Sequence, residues 1–110
     1  MLLAHGYDHN WVINRGNETG LVQAAKAEDP QTGRTLTVST TEPGVQVYTS
    51  NFLEGAFTGT SGHSYRQGAG FTMETQHFPD AINNPHFPTI ILNPGEVYEH
   101  TCLHRFIVQK

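Results

Sequence analysis

The run "LVQAAKAEDPQTGRTLTVSTT", residues 21 to 41, decides the fold class. Its two halves flank "DPQTG", where Pro30 and Gly33 suit a tight chain reversal. Ala24, Ala25 and Ala27 favour a helix on propensity alone. The reversal and the alternation of Leu36 and Val38 favour strands, so the segment is read as a β-hairpin.

The same reading extends outward. "NWVI" (10–13) and "GVQVYTS" (44–50) are short strand-like runs, the second introduced by Pro43-Gly44. Residues 51–69 are polar and Gly-rich and read as one long loop. "GFTMETQ" (70–76) is a strand. "HFPDAINNPHFP" (77–88) is extended, because each proline pushes its predecessor out of the helical region. "TIIL" (89–92), the turn "NPGE" (93–96) and a strand over 97–108 complete the chain. No stretch has helical periodicity. The expected architecture is all-β, an antiparallel sheet or sandwich.

The bulk properties exclude several classes. The 110 residues suffice for one small domain. Six Lys or Arg are scattered through a chain of net charge −4, so no basic stripe offers itself to nucleic acid or an anionic membrane. The first residues, "MLLAHGYDHNW", are too short and polar for a signal peptide or a membrane span. The single cysteine, Cys102, leaves no intrachain disulfide and fits a reducing, cytoplasmic setting. Met1 stands almost against the first strand, which suggests that an earlier part of the domain is missing.

On a strand over 70–76, Phe71, Met73 and Thr75 share one face, and Thr72, Glu74 and Gln76 the other. The first face suits a core. The second suits either a polar cleft around one acid or an ordinary solvated surface, and on pattern alone the surface is the simpler reading. "HGYDHNW" (5–11) sets Asp8 among His5, Tyr7, His9 and Trp11. Rings and an acid together could hold a sugar; an Asx turn beside a core Trp is the simpler reading. The pairs His5/His9 and His100/His104 have a spacing that would chelate a metal on a helix but not on a strand. His100 and Cys102 would share a strand face, without further ligands at sensible spacing. Cys102 lies among apolar residues, as inert packing thiols do. "GTSGHS" (59–64) lacks the lysine of a phosphate loop.

Five segments together carry a resemblance: "GYDHNW" (6–11), "TEPGVQVYT" (41–49), "SNFLEG" (50–55), "METQHFPDAINNPHFP" (73–88) and "LNPGEVYEH" (92–100). In this order the chain resembles the C-terminal part of the aldose 1-epimerases, or galactose mutarotases, over nearly all its length. The resemblance implies a β-sandwich of the mutarotase type, present as an incomplete C-terminal portion over residues 1–110. It implies interconversion of the α and β anomers of hexoses, with Glu74 as general base and Asp8 on the sugar hydroxyls. It implies no metal or organic cofactor. The histidine that acts as general acid, a second histidine and an arginine would come from an N-terminal portion absent here.

The expected partners are therefore a hexose and either a complementary N-terminal portion or further copies of the chain, since a cut sandwich exposes sheet edges. Arg15, Arg34, Arg66 and Arg105 are dispersed, which favours a neutral sugar over a sugar phosphate. A non-catalytic sugar-binding module and an inactive, self-associating fragment are the alternatives.

Overall fold

A computed structural model describes residues 5–109. The eight strands are β1 (Asp8–Val12), β2 (Val22–Asp29), β3 (Arg34–Thr40), β4 (Gly44–Tyr48), β5 (Glu54–Thr58), β6 (Ser64–Arg66), β7 (Thr72–Gln76) and β8 (Cys102–Val108). The only helical element among the described residues is a 3₁₀ turn, Ala81–Asn83. Every pairing is antiparallel. One sheet runs β1-β4-β7, a second β2-β3-β8, and β5 and β6 form a separate hairpin. This is a partial β-sandwich of the mutarotase fold. Among the described residues no helix is long and apolar enough to cross a membrane.

The β2–β3 hairpin forms as its sequence predicts. Asp29 organises the turn: its carboxylate accepts from the Gln31 N–H at 3.0 Å and the Thr32 hydroxyl at 2.5 Å, and its carbonyl accepts from the Gly33 N–H at 2.8 Å. Gly33 has φ +69°, and a Cβ there would collide with the Gln109 carbonyl. β8 then pairs along β3, with Leu36 opposite Phe106, Val38 opposite His104 and Thr40 opposite Cys102.

The sheets meet through Val22 of β2, Val45 of β4 and Ile13, with Ala24 and Met73 packed against them. Val38 is fully buried. Met73 faces inward, so the expected apolar face of β7 is real, although Phe71, just ahead of it, remains half exposed. Arg15 ties the first loop to the sandwich by donating to the carbonyls of Gly20, Thr40 and Glu42.

Two expectations fail. Residues 51–69 are not one loop: β5 and β6 lie there, closed by a turn in which Gly62 N–H donates to the Gly59 carbonyl. Short strands interrupted by a register shift and by Gly55 at φ +80° leave no alternating pattern to read. The expected strands at 89–92 and 97–101 do not form either; the last strand starts at Cys102. Ile90, Ile91 and Val97 have strand propensity but no partner ladder among the described residues. Side chains tether this segment instead, with the Thr101 N–H donating to Thr41 Oγ1 and Tyr98 reaching Glu42.

Candidate active site

Strand register sets the site. β4 lies between β1 and β7, and Asn10, Gln46 and Glu74 align across the three strands. One step along, Asp8, Tyr48 and Thr72 align in the same way. Positions two apart on a strand share a face, so Asp8 and Glu74 project from the same face of one sheet. Their strands lie about 10 Å apart, twice the usual interstrand spacing.

Both carboxylates are exposed and each is oriented by a neighbour. Gln46 Nε2 donates to Asp8 Oδ1 at 2.8 Å, and the Thr72 hydroxyl donates to Glu74 Oε1 at 2.8 Å. The Asn10 amide nitrogen and Gln46 Oε1 are buried and have no hydrogen-bond partner, so polar capacity remains between the two acids. A cavity of about 560 Å³ lies elsewhere, along β3 and β8.

The segment after β7 bounds one end of this face. Phe78 packs on Gly44, the residue opposite Gln76; a Cβ at Gly44 would come within 3.0 Å of the Phe78 ring and 2.6 Å of Asn10 Oδ1. Phe78 meets Phe87 edge to face at 5.1 Å. Asp80, in the left-handed region at φ 58°, accepts from the Asn83 side chain at 2.5 Å and from the Asn84 side chain at 2.7 Å through its carbonyl. Aromatic packing and side-chain hydrogen bonds therefore support the prolines in stiffening residues 77–88.

The aromatic residues around Asp8 are not part of this face. His9 and Trp11 alternate with Asp8 and Asn10 and point to the reverse side, where Tyr7 joins them at ring distances of 5.8 and 6.5 Å. A sugar held by Asp8 would not stack on Trp11. His100 lies ahead of β8, so it does not share a strand face with Cys102, whose sulfur instead approaches His104 Nδ1 at 3.7 Å. Among the described residues no group of three or more His, Cys, Asp or Glu could hold a metal ion.

Sequence reasoning missed two features. Gln46 lies between Val45 and Val47 and so on the opposite face of β4, and that apolar–polar alternation was the available signal. The other is Glu42, buried at 3% exposure just before β4. Its Oε1 accepts from the Tyr98 hydroxyl at 2.6 Å and lies 3.1 Å from His100 Nδ1. Its Oε2 lies 2.5 Å from His77 Nδ1, an ion-pair distance without hydrogen-bond geometry. One carboxylate thus joins the β3–β4 turn, the end of β7 and the approach to β8. No local pattern marks it.

Comparison with known proteins agrees with the fold. The family described as aldose 1-epimerase matches residues 2–105. Galactose mutarotase of Rattus norvegicus is 47% identical over 104 residues, covering 94% of this chain and 30% of the rat protein. Galactose mutarotase of Homo sapiens is 44% identical over the same shares. Aldose 1-epimerase of Escherichia coli is 33% identical over 107 residues, again 94% of this chain and 30% of the relative. The chain spans about 30% of the length of these relatives. On the extent of the family match, the chain belongs to the aldose 1-epimerase family.

Proposed function

We propose that this chain is the base-bearing part of an aldose 1-epimerase that interconverts the α and β anomers of hexoses such as galactose and glucose. The observation that carries the reading is the shared face: Glu74 and Asp8 stand two strands apart on one side of one sheet, with Gln46 between them.

Anomer exchange needs two proton transfers. A base takes the proton from the C1 hydroxyl while an acid protonates the ring oxygen. The ring opens, the C1–C2 bond rotates, and closure on the other face yields the other anomer with the roles reversed. A carboxylate is ionised at neutral pH and can act as the base. Glu74 has that chemistry; its Oε1 is occupied by Thr72, which leaves Oε2 for the sugar. Asp8, fixed by Gln46, accepts from a sugar hydroxyl. The proton donor comes from a portion not represented in these residues. Positioned proton transfer contributes about 10² to 10⁴-fold in each role.

A neutral hexose suits the face better than a sugar phosphate. Arg15 is engaged by backbone carbonyls, and Arg34, Arg66 and Arg105 lie on β3, β6 and β8, outside the Glu74 sheet. A lone Cys102 is compatible with a cytoplasmic setting. The test is polarimetry on fresh α-glucose with the completed enzyme. Glu74→Gln, which keeps size and removes the base, is expected to lower turnover by about 10² to 10⁴-fold without altering the far-ultraviolet dichroism. Turnover close to the parent's rejects Glu74 as the base.

A further inference from the structure

Asp8 opens its strand, so its place depends on what holds the residue before it. β1 pairs with β4 from Asp8 to Val12, with Asp8 opposite Tyr48. Beyond that point side chains take over from the ladder. The Thr49 N–H still donates to the Tyr7 carbonyl at 3.1 Å. The Tyr7 N–H instead donates to the Thr49 hydroxyl oxygen at 2.8 Å, and that hydroxyl donates onward to Asn51 Oδ1 at 2.7 Å. Asn51 Nδ2 closes the ring by donating to the Tyr7 carbonyl at 2.7 Å. Both backbone polar groups of Tyr7 are thus held by residues 49 and 51. Asn51 is buried, and Gly6 lies so close that a Cβ there would collide with the Asn51 amide. The intervening Ser50 is buried in the left-handed region at φ 57°, a conformation that a residue other than glycine keeps only where its surroundings impose it. Here they do: its carbonyl accepts from the Leu53 and Gly68 N–H groups, each at 3.3 Å.

We infer that Asn51 is a positioning residue for Asp8: through the Tyr7 carbonyl, and with Thr49 as its partner, it fixes the backbone from which the Asp8 carboxylate reaches Gln46 and the sugar. The inference rests on the reading of Asp8 as the acceptor of a sugar hydroxyl. Capping a strand end requires one partner for each free backbone group. Here the Tyr7 carbonyl takes two donors, the Thr49 N–H and the Asn51 amide, and the far end of that amide is itself held by the Thr49 hydroxyl. Such a closed ring resists rotation as well as fraying. The carboxylate it steadies is exposed and is held to the sheet face by Gln46 Nε2 at 2.8 Å. Loosening Tyr7 lets the next residue swing, and an acid displaced by about 1 Å loses both Gln46 and its aim at the ligand. Ser50 keeps its strained backbone because residues 49 and 51 must both face Tyr7 across a tight bend.

The test follows the isotope-labelled 110-residue chain by magnetic resonance. The Gln46 side-chain amide signal reports its bond to Asp8, and Asp8→Ala supplies the signal of the broken bond. Asn51→Leu, similar in size but without the amide, is expected to move the Gln46 signal most of the way to that reference with the far-ultraviolet dichroism unchanged. Thr49→Val should act alike, and Thr49→Ser, which keeps the hydroxyl, should retain the parent's signal; this pair decides the matter if Asn51→Leu does not fold. Calorimetric titration with galactose gives a second reading. Asn51→Leu should weaken binding about two- to tenfold, the worth of one hydrogen bond, both in the parent and in the Glu74→Gln chain. In the Asp8→Ala chain it should have no further effect. A Gln46 signal that stays at the parent's position in both Asn51→Leu and Thr49→Val overturns the inference. So does a loss of affinity of the same size with and without Asp8, which marks a general structural role. A parent chain that binds no galactose rejects the proposed sugar face, and the Gln46 signal then judges the Asn51 clamp by itself.

Discussion

Replacing Glu42 by alanine should loosen three chain segments at once. The side chain is 3% exposed, so its charge is tolerated only because Tyr98, His100 and His77 surround it at 2.6, 3.1 and 2.5 Å. A hydrogen bond to a charged group contributes about 1.5–3 kcal/mol, which sets the scale for the Tyr98 contact. Removing one partner of a buried ion pair costs about 3–5 kcal/mol when the other charge is left stranded. Here the partners are not stranded. The histidine side chains are 29% and 28% exposed and Tyr98 is 61% exposed, so all three regain water. Relief from burying the carboxylate offsets part of the loss as well. The expected net cost is about 2–3 kcal/mol. With a urea slope of about 1–3 kcal/mol per molar, the unfolding midpoint should fall by about 0.7–3 M. Glu42→Gln keeps an acceptor for Tyr98 and should lose about half as much. Urea melts followed by tryptophan fluorescence and by dichroism supply the assay. A Glu42→Ala midpoint within about 0.3 M of the parent's, on both probes, would show that the carboxylate fastens nothing.

Two further outcomes follow from the same physics. Gly33→Ala forces a left-handed residue and drives a methyl into the Gln109 carbonyl, and should cost more than about 2 kcal/mol; Gly16→Ala, left-handed but in open space, should cost only about 1 kcal/mol, and paired urea melts separate them. The Tyr98 phenol is held above its usual 10 chiefly by its hydrogen bond to Glu42, with desolvation and the nearby negative charge adding to the effect. Because the folded value is raised, its stabilising contribution is complete below the unfolded phenol value and is lost as pH rises through the folded one. Tyr98→Phe should flatten that alkaline loss, and phenolate absorbance should report one fewer late-titrating tyrosine.

Local chemistry made much of the fold readable. Asp29, Pro30 and Gly33 specify a reversal within a few residues, and Leu36 and Val38 alternate beside it, so β2 and β3 were apparent. The faces of β7 followed from period two, which is why Glu74 was legible as a candidate before its neighbours were known. Its proximity to Asp8 was not legible from periodicity. That depends on β4 lying between strands far apart in sequence, and only the family resemblance pointed to it. The grouping of the aromatic residues with Asp8 as one sugar site does not survive the strand geometry, because adjacent strand residues point oppositely. Ile90 and Ile91 misled for another reason. Strand propensity expresses fit to a neighbouring ladder, and none stands beside them among the described residues. Glu42 left no trace because its three partners come from two distant segments.

In the function proposed above, one face of the β1-β4-β7 sheet receives the sugar. Titrating the isotope-labelled chain with galactose, while following each residue by magnetic resonance, tests it most directly. The amide and side-chain signals of Asp8, Gln46, Thr72 and Glu74 should move together with a single binding curve, and Glu74→Gln should alter that curve. Movement confined to Tyr7, His9 and Trp11 on the reverse face, or none anywhere at saturating sugar, would contradict it.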